Sequence, residues 1–344
     1  MTLTRRGRLV TAVFVLVGVV GVASAGGLLY LRSIGVGGTS SSGAPVEVTV
    51  PEGATAQEIG TILEDAGVIE SAFAFRVAVF LGSGAEDIQA GRYELRRGLT
   101  ATDALETLVD EGPVLEFVNV TFPEGSWLTD FARILDDETH ISGDAFLELV
   151  TSGKVRSAYR PPTVATMEGL LFPSTYQVIE EDTARSIARR LAAQFEEEMS
   201  KLDLSGLQGR GISPYEAIIV ASMVEAEARV PEDRGRIAAV IYNRLRQGIE
   251  LGIDATVLYA LGEHKQELTV SDLDVDSPYN TRKFHGLPPT PIGAPGAASL
   301  AAAMRPAEGD WLYFVVADCE GHHAFSTDYD SFLADKARYQ ALQC

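Results

Sequence analysis

The segment Ser213–Glu227 sets the strongest limit on how this chain can fold. It opens with a serine suited to capping a helix, a proline at the first helical position and a glutamate three residues after the serine, which together predict a helix N-terminus. The residues Ala217–Val224 that follow are apolar or small on every side, a pattern typical of a helix that is buried all round. We therefore predict a central helix, and the other elements of its domain must pack around it.

Two glutamates, Glu225 and Glu227, end this predicted helix before Pro231. A carboxylate at the end of a buried helix is costly to ionise, so we expect its pKa to be raised. A carboxyl group that stays protonated at neutral pH suits a general acid for cleaving a glycosidic bond. Each glutamate continues a different apolar stripe of the helix, so periodicity does not choose between them, and both also fit the solvated end of a structural helix.

Further along the chain lies a long segment rich in proline and glycine, 277–296. It follows a predicted helix, Pro231–Gln247, and a shorter one, Ala255–Leu261, for which Asp254 is the expected N-cap. Long ordered loops of this kind commonly line functional sites. Tyr279, with the asparagine and threonine that follow it, provides an aromatic surface and neutral hydrogen-bonding groups suited to sugars. A purely structural loop is the alternative.

The chain begins with an uncharged apolar run, Leu9–Leu31. At about 1.5 Å per residue, a helix of this length spans a bilayer core of about 30 Å. Three arginines precede the run and Arg32 alone follows it closely, which places the N-terminus in the cytoplasm and the rest of the chain outside. A cleaved signal peptide is the alternative, because Ala23-Ser24-Ala25 resembles a cleavage site, although the apolar run continues beyond it. In both cases the body of the protein is exported.

A Gly/Ser-rich stretch, Ser33–Pro45, predicts a flexible tether, after which a motif of the sequence occurs twice. Residues Val48–Gly53 recur as Val120–Gly125, at an offset of 72. Each copy predicts a short strand, a Pro-Glu-Gly turn and an amphipathic helix. Glu52 and Glu124 occupy the same repeat position and suggest paired carboxylates. A glutamate in a turn before a helix is also favoured by the helix dipole, and we prefer that structural explanation.

Charge and cysteine content exclude several classes of protein. The chain carries 48 acidic and 28 basic side chains, a net charge of −20, whereas a nucleic-acid-binding protein needs a basic surface. We therefore expect no nucleic-acid partner. Cys319 and Cys344 are the two cysteines, too few for a disulfide framework and too far apart for a CxxC metal or redox motif. A single bridge between them remains an open alternative.

Six short motifs follow one another along the chain. They are Ala221–Glu227 (ASMVEAE), Val240–Leu245 (VIYNRL), Asp254–Tyr259 (DATVLY), Tyr279–Thr281 (YNT), Gly286–Pro289 with Pro291–Ile292 (GLPP and PI), and His323–Phe325 (HAF). Their content and order resemble the endolytic murein transglycosylase family, and the resemblance runs from about Val46 to the C-terminus. An upstream segment, Glu168–Tyr176, is similar to the family's EGYLFPDTY-like sequence.

The resemblance implies an α+β fold with an N-terminal transmembrane helix, a LysM-like α+β subdomain and a mixed α/β catalytic domain whose buried helix carries the catalytic glutamate. The implied regions are a cytoplasmic tail (1–8), the transmembrane helix (9–31), a flexible linker (32–45), the LysM-like subdomain (46–115), an intermediate α+β region (116–205) and the catalytic domain (206–344).

The same resemblance implies a lytic transglycosylase, a lyase that cleaves the β-1,4 bond between N-acetylmuramic acid and N-acetylglucosamine within nascent glycan strands. The products carry 1,6-anhydro ends, and strand elongation is limited. In this family the first glutamate of a V-E-x-E motif is catalytic, which corresponds to Glu225. By the same matching, the candidate substrate-binding residues are Asp254, Tyr279, Asn280, Thr281 and His323. Glu227 is expected to support these residues rather than to contact the sugar directly. Neither a metal nor a cofactor is implied.

The implied partners are peptidoglycan strands, the membrane through the N-terminal helix, and peptidoglycan synthases. The implied location is the cytoplasmic membrane, crossed once, with the N-terminus in the cytoplasm and the catalytic domain outside. A protein of another class fits the same sequence, namely a membrane-tethered glycan-binding or scaffold protein of cell-wall synthesis with little catalytic activity. The release of 1,6-anhydromuropeptides from murein distinguishes the two.

Overall fold

The computed structural model describes residues 36, 43–82, 87–114, 116–265 and 267–342. These residues form a mixed α+β structure in two compact units, the first ending at Glu116 and the second beginning at Phe117, which confirms the predicted α+β class. None of the helices within them is both long and apolar enough to cross a bilayer. The predicted transmembrane helix, Leu9–Leu31, lies outside the described residues and stays a prediction.

In the described part of the first unit, three helices accompany a two-stranded antiparallel sheet. Strand β1 (Pro45–Val50) pairs with β2 (Gly91–Arg96), and Val48 lies opposite Tyr93. Both of these side chains point into an apolar core that the helices complete. The helices are α1 (Ala56–Asp65), α2 (Ala72–Leu81) and α3 (Ala101–Asp110).

The second unit contains two further antiparallel strand pairs. Strand β3 (Phe117–Thr121) pairs with β4 (Thr175–Ile179), and β5 (Tyr313–Val316) pairs with β6 (His323–Ser326). Cys319, between β5 and β6, is disulfide-bonded. Cys344, the other cysteine, lies outside the described residues, so the pairing of these two cysteines stays a prediction. The helices of this unit are α4 (Leu128–Glu138), α5 (Gly143–Thr151), α6 (Ala184–Ser200), α7 (Ser205–Arg210), α8 (Pro214–Glu227), α9 (Arg234–Gln247), α10 (Asp254–Leu261), α11 (Ala297–Met304) and α12 (Tyr329–Gln340).

The predicted central helix is confirmed as α8. Ser213 Oγ accepts from the Glu216 N–H at 3.2 Å, and Glu216 Oε2 accepts from the Ser213 N–H at 2.7 Å, which closes the expected capping box. All side chains from Ala217 to Val224 are buried, and α9 and α11 pack against this helix. Helix α8 is therefore central to the second unit, and its C-terminal turn carries both candidate glutamates.

Both copies of the repeat fold as predicted, as a strand, a Pro-Glu-Gly turn and a helix. The first copy has the expected capping box at the start of α1. In the second copy, Asp130 Oδ2 accepts from the Trp127 N–H at 2.9 Å at the start of α4. Gly53 and Gly125 have positive φ angles of 72° and 78°, which favour glycine. The turn geometry thus explains the glycine that ends each motif.

One local prediction is wrong and one helix boundary shifts. Asp254 is the first residue of α10, whose N-cap is Ile253, and no side chain caps this helix. The Asp254 carboxylate accepts from Arg282 Nε at 2.7 Å, because a charged guanidinium is a stronger partner than a backbone N–H. The helix expected from Pro231 begins at Arg234, after a single 3₁₀ turn.

Replacement of Ser213 by alanine tests how the central helix begins. The variant leaves the Glu216 N–H without its side-chain acceptor, so we expect the free energy of unfolding to fall by about 1 kcal/mol. Urea unfolding of the purified protein measures this change. Ser200→Ala is the matched control, since its hydroxyl donates to a carbonyl within its own helix; equal midpoints for the two variants would contradict the capping role.

Candidate active site

The Glu225 carboxylate is held at both of its oxygens. Its Oε1 lies 3.4 Å from Arg234 Nη2, and its Oε2 accepts a hydrogen bond from the Gly296 N–H at 2.9 Å. The Glu225 side chain is 8% exposed and that of Arg234 is 15% exposed, so the pair is shielded but still accessible. A carboxylate fixed in this way has one orientation toward a reactant, as proton transfer at a defined atom requires.

Ser222 lies on the same face of α8, one turn before Glu225. Its Oγ accepts from the Ile292 N–H at 3.0 Å and donates to the Ile219 carbonyl at 2.8 Å. Residues three apart share a helix face, and both side chains here bind the segment 292–296 of the Pro/Gly-rich loop. This segment is therefore attached to the central helix at two points.

Glu227 has different surroundings from Glu225. Positions two apart on an α-helix point in nearly opposite directions, and the charged neighbours of Glu227 include Asp254 and Arg282. Burial of its carboxyl group, together with repulsion from Asp254, raises the pKa of Glu227 to about 7, although two arginines oppose this shift. The expected raised pKa is thus confirmed for Glu227, whereas Glu225 is the glutamate bound to Gly296.

Arg234 is positioned by contacts outside its ion pair. Its Nε donates to Ser299 Oγ at 3.0 Å, and Ser299 is fully buried in α11. The preceding residue, Asp233, accepts at Oδ2 from the His323 N–H at 2.7 Å and lies 3.0 Å from His323 Nδ1. His323 and Asp233 are both buried. His323 therefore ties β6 to the start of α9, directly before the arginine that contacts Glu225.

The Pro-Glu-Gly turn of the second repeat copy meets the Pro/Gly-rich loop at this site. The Gly125 N–H donates to the Ala294 carbonyl at 2.8 Å, and the Ala294 N–H donates to the Ser126 carbonyl at 2.8 Å. We call this pair of hydrogen bonds the loop bridge. It brings Glu124, which precedes Gly125, beside Gly296, whose N–H is bound to Glu225.

Two glycines make this close approach possible. A Cβ on Gly293 would lie 2.6 Å from the Gly125 carbonyl oxygen, and Gly293 has a φ of +152°. A Cβ on Gly296 would overlap the Glu124 carboxylate. A larger residue at position 293 would push against the Gly125 backbone, whereas one at position 296 would displace the Glu124 side chain. Glycine at these two positions therefore permits the observed contact.

Glu124 is a second carboxylate at the site. Partial burial of the group, and then repulsion from Glu225, raise the pKa of Glu124, while Arg234 acts in the opposite direction. Glu124 as a whole residue remains exposed. The site therefore combines two carboxylates with one guanidinium, and one of the carboxyl groups is accessible to a ligand.

A row of aromatic rings begins three residues after Glu124. The Trp127 ring lies edge-on to Tyr259 with centroids 5.3 Å apart, and Tyr259 lies 4.9 Å from Tyr279. On its other side Trp127 stacks on His264 at 3.8 Å. All three of the large rings are half-buried. Half-exposed aromatic faces of this kind bind the apolar faces of sugars and leave the hydroxyls free for hydrogen bonds.

Glu168 supports this aromatic row from below. Its Oε2 accepts from the Tyr259 hydroxyl at 3.0 Å and from the Leu128 N–H at 3.4 Å. Its other oxygen is buried and has no hydrogen-bond partner among the described residues. Burial raises the pKa of Glu168 to about 7, despite these two contacts. The carboxyl group is therefore substantially protonated near neutral pH.

Of the three candidate site residues 279–281, the first is half-buried and the other two are buried. The Tyr279 hydroxyl lies 2.8 Å from Thr290 Oγ1 and its ring belongs to the aromatic row. Asn280 and Thr281 are buried. Asn280 Nδ2 donates to two backbone carbonyls, and Thr281 Oγ1 accepts from the Ile253 N–H at 3.0 Å. These two residues shape the loop that presents Tyr279.

The structure adds residues that the sequence did not single out as functional. The sequence favours a structural role for Glu124, because a glutamate in a turn before a helix is stabilised by the helix dipole. Arg234 and Trp127 carried no signal, since their partners lie far away in sequence. The sequence shows glycines at positions 293 and 296, but it does not show that the segment Glu124–Gly125 packs against them.

One cluster among the described residues has ligand types suited to a metal ion. Asp318, Glu320 and His322 place one ligand atom each within 4.8 Å of one another. The His322 Nδ1 is already 2.8 Å from Asp318 Oδ2, and the cluster belongs to the exposed turn between β5 and β6. It has no contact with Glu225 in the structure described above, and we assign it no function.

Comparison with known proteins gives consistent matches over most of the chain. Residues 48–338 match the YceG-like family. An endolytic murein transglycosylase of Bacillus subtilis (strain 168) is 33% identical over 333 residues, which cover 91% of this chain and 90% of the relative. An endolytic murein transglycosylase of Streptococcus pneumoniae is 30% identical, and the match covers 84% of this chain but 58% of that relative.

A solved structure is also similar. The crystal structure of a YceG-like protein from Listeria monocytogenes aligns with a TM-score of 0.57 at 30% sequence identity. The alignment covers 84% of this chain and 98% of the Listeria chain. Sequence and fold therefore point to the same group of proteins.

The raised pKa of Glu168 predicts a pH-dependent stability. The folded state retains the proton up to about pH 7, whereas the unfolded chain loses it near the ordinary value of 4.5, so stability falls as pH rises between these values. The slope is at most about 1.4 kcal/mol per pH unit. Glu168→Gln, whose amide oxygen can accept both existing hydrogen bonds, should become progressively more stable than the wild type across this range.

Denaturant unfolding at several pH values between 5 and 8 measures the difference. Glu181→Gln, which replaces an exposed glutamate of the same unit, is the control. Its difference in stability from wild type should not change with pH. A stability difference for Glu168→Gln that does not change with pH would show that Glu168 ionises as it does in the unfolded chain.

Proposed function

The chain belongs to the YceG-like family, and we propose that it is an endolytic murein transglycosylase. In this function it cleaves the β-1,4 bond between N-acetylmuramic acid and N-acetylglucosamine within glycan strands and leaves 1,6-anhydro ends. The observation that carries the proposal is the Glu225 carboxylate, fixed between Arg234 and the Gly296 N–H at the end of the central helix. The named relatives in Bacillus and Streptococcus support the same activity.

Glu225 is the proposed catalytic residue. In the single-residue scheme that the family resemblance implies, its carboxyl group protonates the departing glycosidic oxygen as the bond to the muramic anomeric carbon breaks. The resulting carboxylate accepts the proton of the muramic C6 hydroxyl, whose oxygen forms the new bond to the same carbon. The acetamido group of the sugar can stabilise the positive charge, so the substrate supplies its own nucleophile. Atoms and charge balance without water.

The aromatic row is the proposed platform for the glycan. Trp127, Tyr259 and Tyr279 offer adjacent rings that can cover several sugars of a strand. Asn280 and Thr281 are proposed to act through the loop that carries Tyr279, because their polar groups are bound within the protein. These contacts give short-range recognition, which an acidic protein needs when its substrate also carries carboxylates.

The remaining candidates are proposed to act from either side of Glu225. Asp254, whose side chain is 55% exposed beside Arg282, has a carboxylate available to a sugar hydroxyl or an acetamido N–H. Glu227 lies close to Asp254 and sets its electrostatic surroundings. His323 acts through Asp233, which fixes the start of the helix that carries Arg234.

The site is proposed to work outside the cytoplasmic membrane. The murein substrate is extracytoplasmic, and the apolar run Leu9–Leu31 with its preceding arginines supports a single N-terminal anchor. A tether of Gly and Ser residues would let the folded body reach nascent strands. Peptidoglycan synthases, which make those strands, are the proposed partners.

Product analysis tests the reaction class. The exported body, mixed with purified murein glycan strands, should release fragments that carry 1,6-anhydro ends, which are lighter by one water than hydrolysis products. Mass spectrometry distinguishes the two. Fragments with reducing ends would indicate a lysozyme-like hydrolase, and intact strands that still bind the protein would indicate a scaffold.

Two variants test the assignment of the catalytic glutamate. Glu225→Gln should lower kcat by at least about 100-fold, because the amide can neither donate nor accept the transferred proton. Glu227→Gln is the matched control on the same helix turn and should keep kcat within about 10-fold of wild type, since removing its charge perturbs only the surroundings. If Glu225→Gln kept its activity and Glu227→Gln lost it, the catalytic role would belong to Glu227.

A further inference from the structure

Both Glu225 oxygens are already used as acceptors in the free protein. Oε1 faces the Arg234 guanidinium and Oε2 faces the Gly296 N–H. Both partners act only as hydrogen-bond donors, since neither a guanidinium nor a backbone N–H can accept a hydrogen bond. Each oxygen has a second lone pair that can take up a proton, so both contacts can persist when Glu225 accepts one. The geometry therefore suits Glu225 as a base more than as an acid.

Glu124 has the complementary surroundings. Its carboxylate lies against the Cα of Gly296, the residue whose N–H binds Glu225, so the two carboxyl groups flank one glycine. The charged groups that act on Glu124 are Glu225, which favours its protonated form, and Arg234, which opposes it. Partial burial also raises the pKa of Glu124. One guanidinium cannot neutralise two carboxylates, so the surroundings of Glu124 favour its protonated form.

The position of Glu124 suits contact with a substrate. Glu124 is exposed, and it belongs to the same short turn as Trp127, the first ring of the aromatic row. A strand bound along that row therefore passes the turn that carries Glu124. The loop bridge fixes this turn to the loop on Glu225's face of α8, so the backbone that carries Glu124 has a defined position relative to Glu225.

We propose that Glu124 is a second catalytic residue, the acid that protonates the leaving glycosidic oxygen, while Glu225 acts as the base for the C6 hydroxyl. This inference rests on the proposed function and divides its two proton transfers between two residues. Glu124 loses its proton as the glycosidic bond breaks, and Glu225 gains one as the C6 oxygen bonds to the anomeric carbon. After product release, one proton passes from Glu225 to Glu124, directly or through solvent, and restores the starting state.

The first test compares Glu124→Gln with Glu52→Gln, its counterpart in the first repeat copy. On murein strands, Glu124→Gln should lower kcat by at least about 100-fold, whereas Glu52→Gln should leave it unchanged. The wild-type kcat should fall at high pH as Glu124 loses its proton, and the residual activity of Glu124→Gln should lack that fall. A Glu124→Gln enzyme with wild-type kcat and pH profile would overturn the inference.

The second test separates an acid from a residue that only shapes the site. Dinitrophenolate is a stable anion and departs without being protonated. A murein oligosaccharide with this leaving group therefore needs no acid for cleavage. On this substrate Glu124→Gln should regain a rate within about 10-fold of wild type, while Glu225→Gln stays inactive because the base is still required. Equal losses for Glu124→Gln on both substrates would overturn the acid role.

The outcomes also separate this inference from the proposed function. Absence of 1,6-anhydro ends with the wild-type enzyme would refute the transglycosylase itself. Normal products from wild type and from Glu124→Gln, with loss in Glu225→Gln, would refute the division of labour alone. Thermal unfolding of Glu124→Gln should match wild type, because the Glu124 side chain is exposed and no hydrogen bond to it is part of the fold described here.

Discussion

The loop bridge is the contact on which the site depends. Two backbone hydrogen bonds of 2.8 Å join the turn at Gly125 to the loop at Ala294, and they connect segments that are far apart in sequence. They place the turn that carries Glu124 beside the loop whose Gly296 N–H binds Glu225. Backbone bonds are independent of side-chain identity, but this close approach of the two segments requires glycine at position 293, and glycine at position 296 leaves room for the Glu124 carboxylate. The site is therefore organised by main-chain geometry before any side chain contributes.

Electrostatics then decides how the carboxyl groups can be used. Arg234 is held by Ser299 and by the anchored start of α9, so its charge has one position. The Arg234 guanidinium forms an ion pair with Glu225. Its electrostatic attraction also acts on Glu124, where it is a smaller influence on the pKa than burial and repulsion from Glu225. A pair of carboxyl groups with unequal surroundings is the usual basis for separate acid and base roles. Glu168, buried below Tyr259, contributes in a different way, by supporting the surface on which a sugar can lie.

Local sequence patterns predicted local structure well. The capping residues and all-round apolarity of Ser213–Val224 predict a central helix, and the recurring strand-turn-helix motif predicts both repeat copies. The same patterns could not distinguish Glu52 from Glu124, because identical turns differ here only in what packs against them. Nor could periodicity choose between Glu225 and Glu227, which extend two apolar stripes. In the structure Glu225 is the glutamate that contacts Gly296 and Arg234, and no local sequence signal encodes this tertiary contact. Asp254 illustrates the same limit, since a distant arginine takes the carboxylate that local rules assign to a helix cap.

The most direct test of this account is a crystal structure of the Glu225→Gln exported body with a bound murein glycan strand. We expect the sugars to lie along Trp127, Tyr259 and Tyr279. The muramic C6 oxygen should lie within about 3.2 Å of the residue 225 side chain, and the glycosidic oxygen should lie at a similar distance from Glu124. A strand bound elsewhere on the protein, or one whose glycosidic bond lies out of reach of both side chains, would contradict the account.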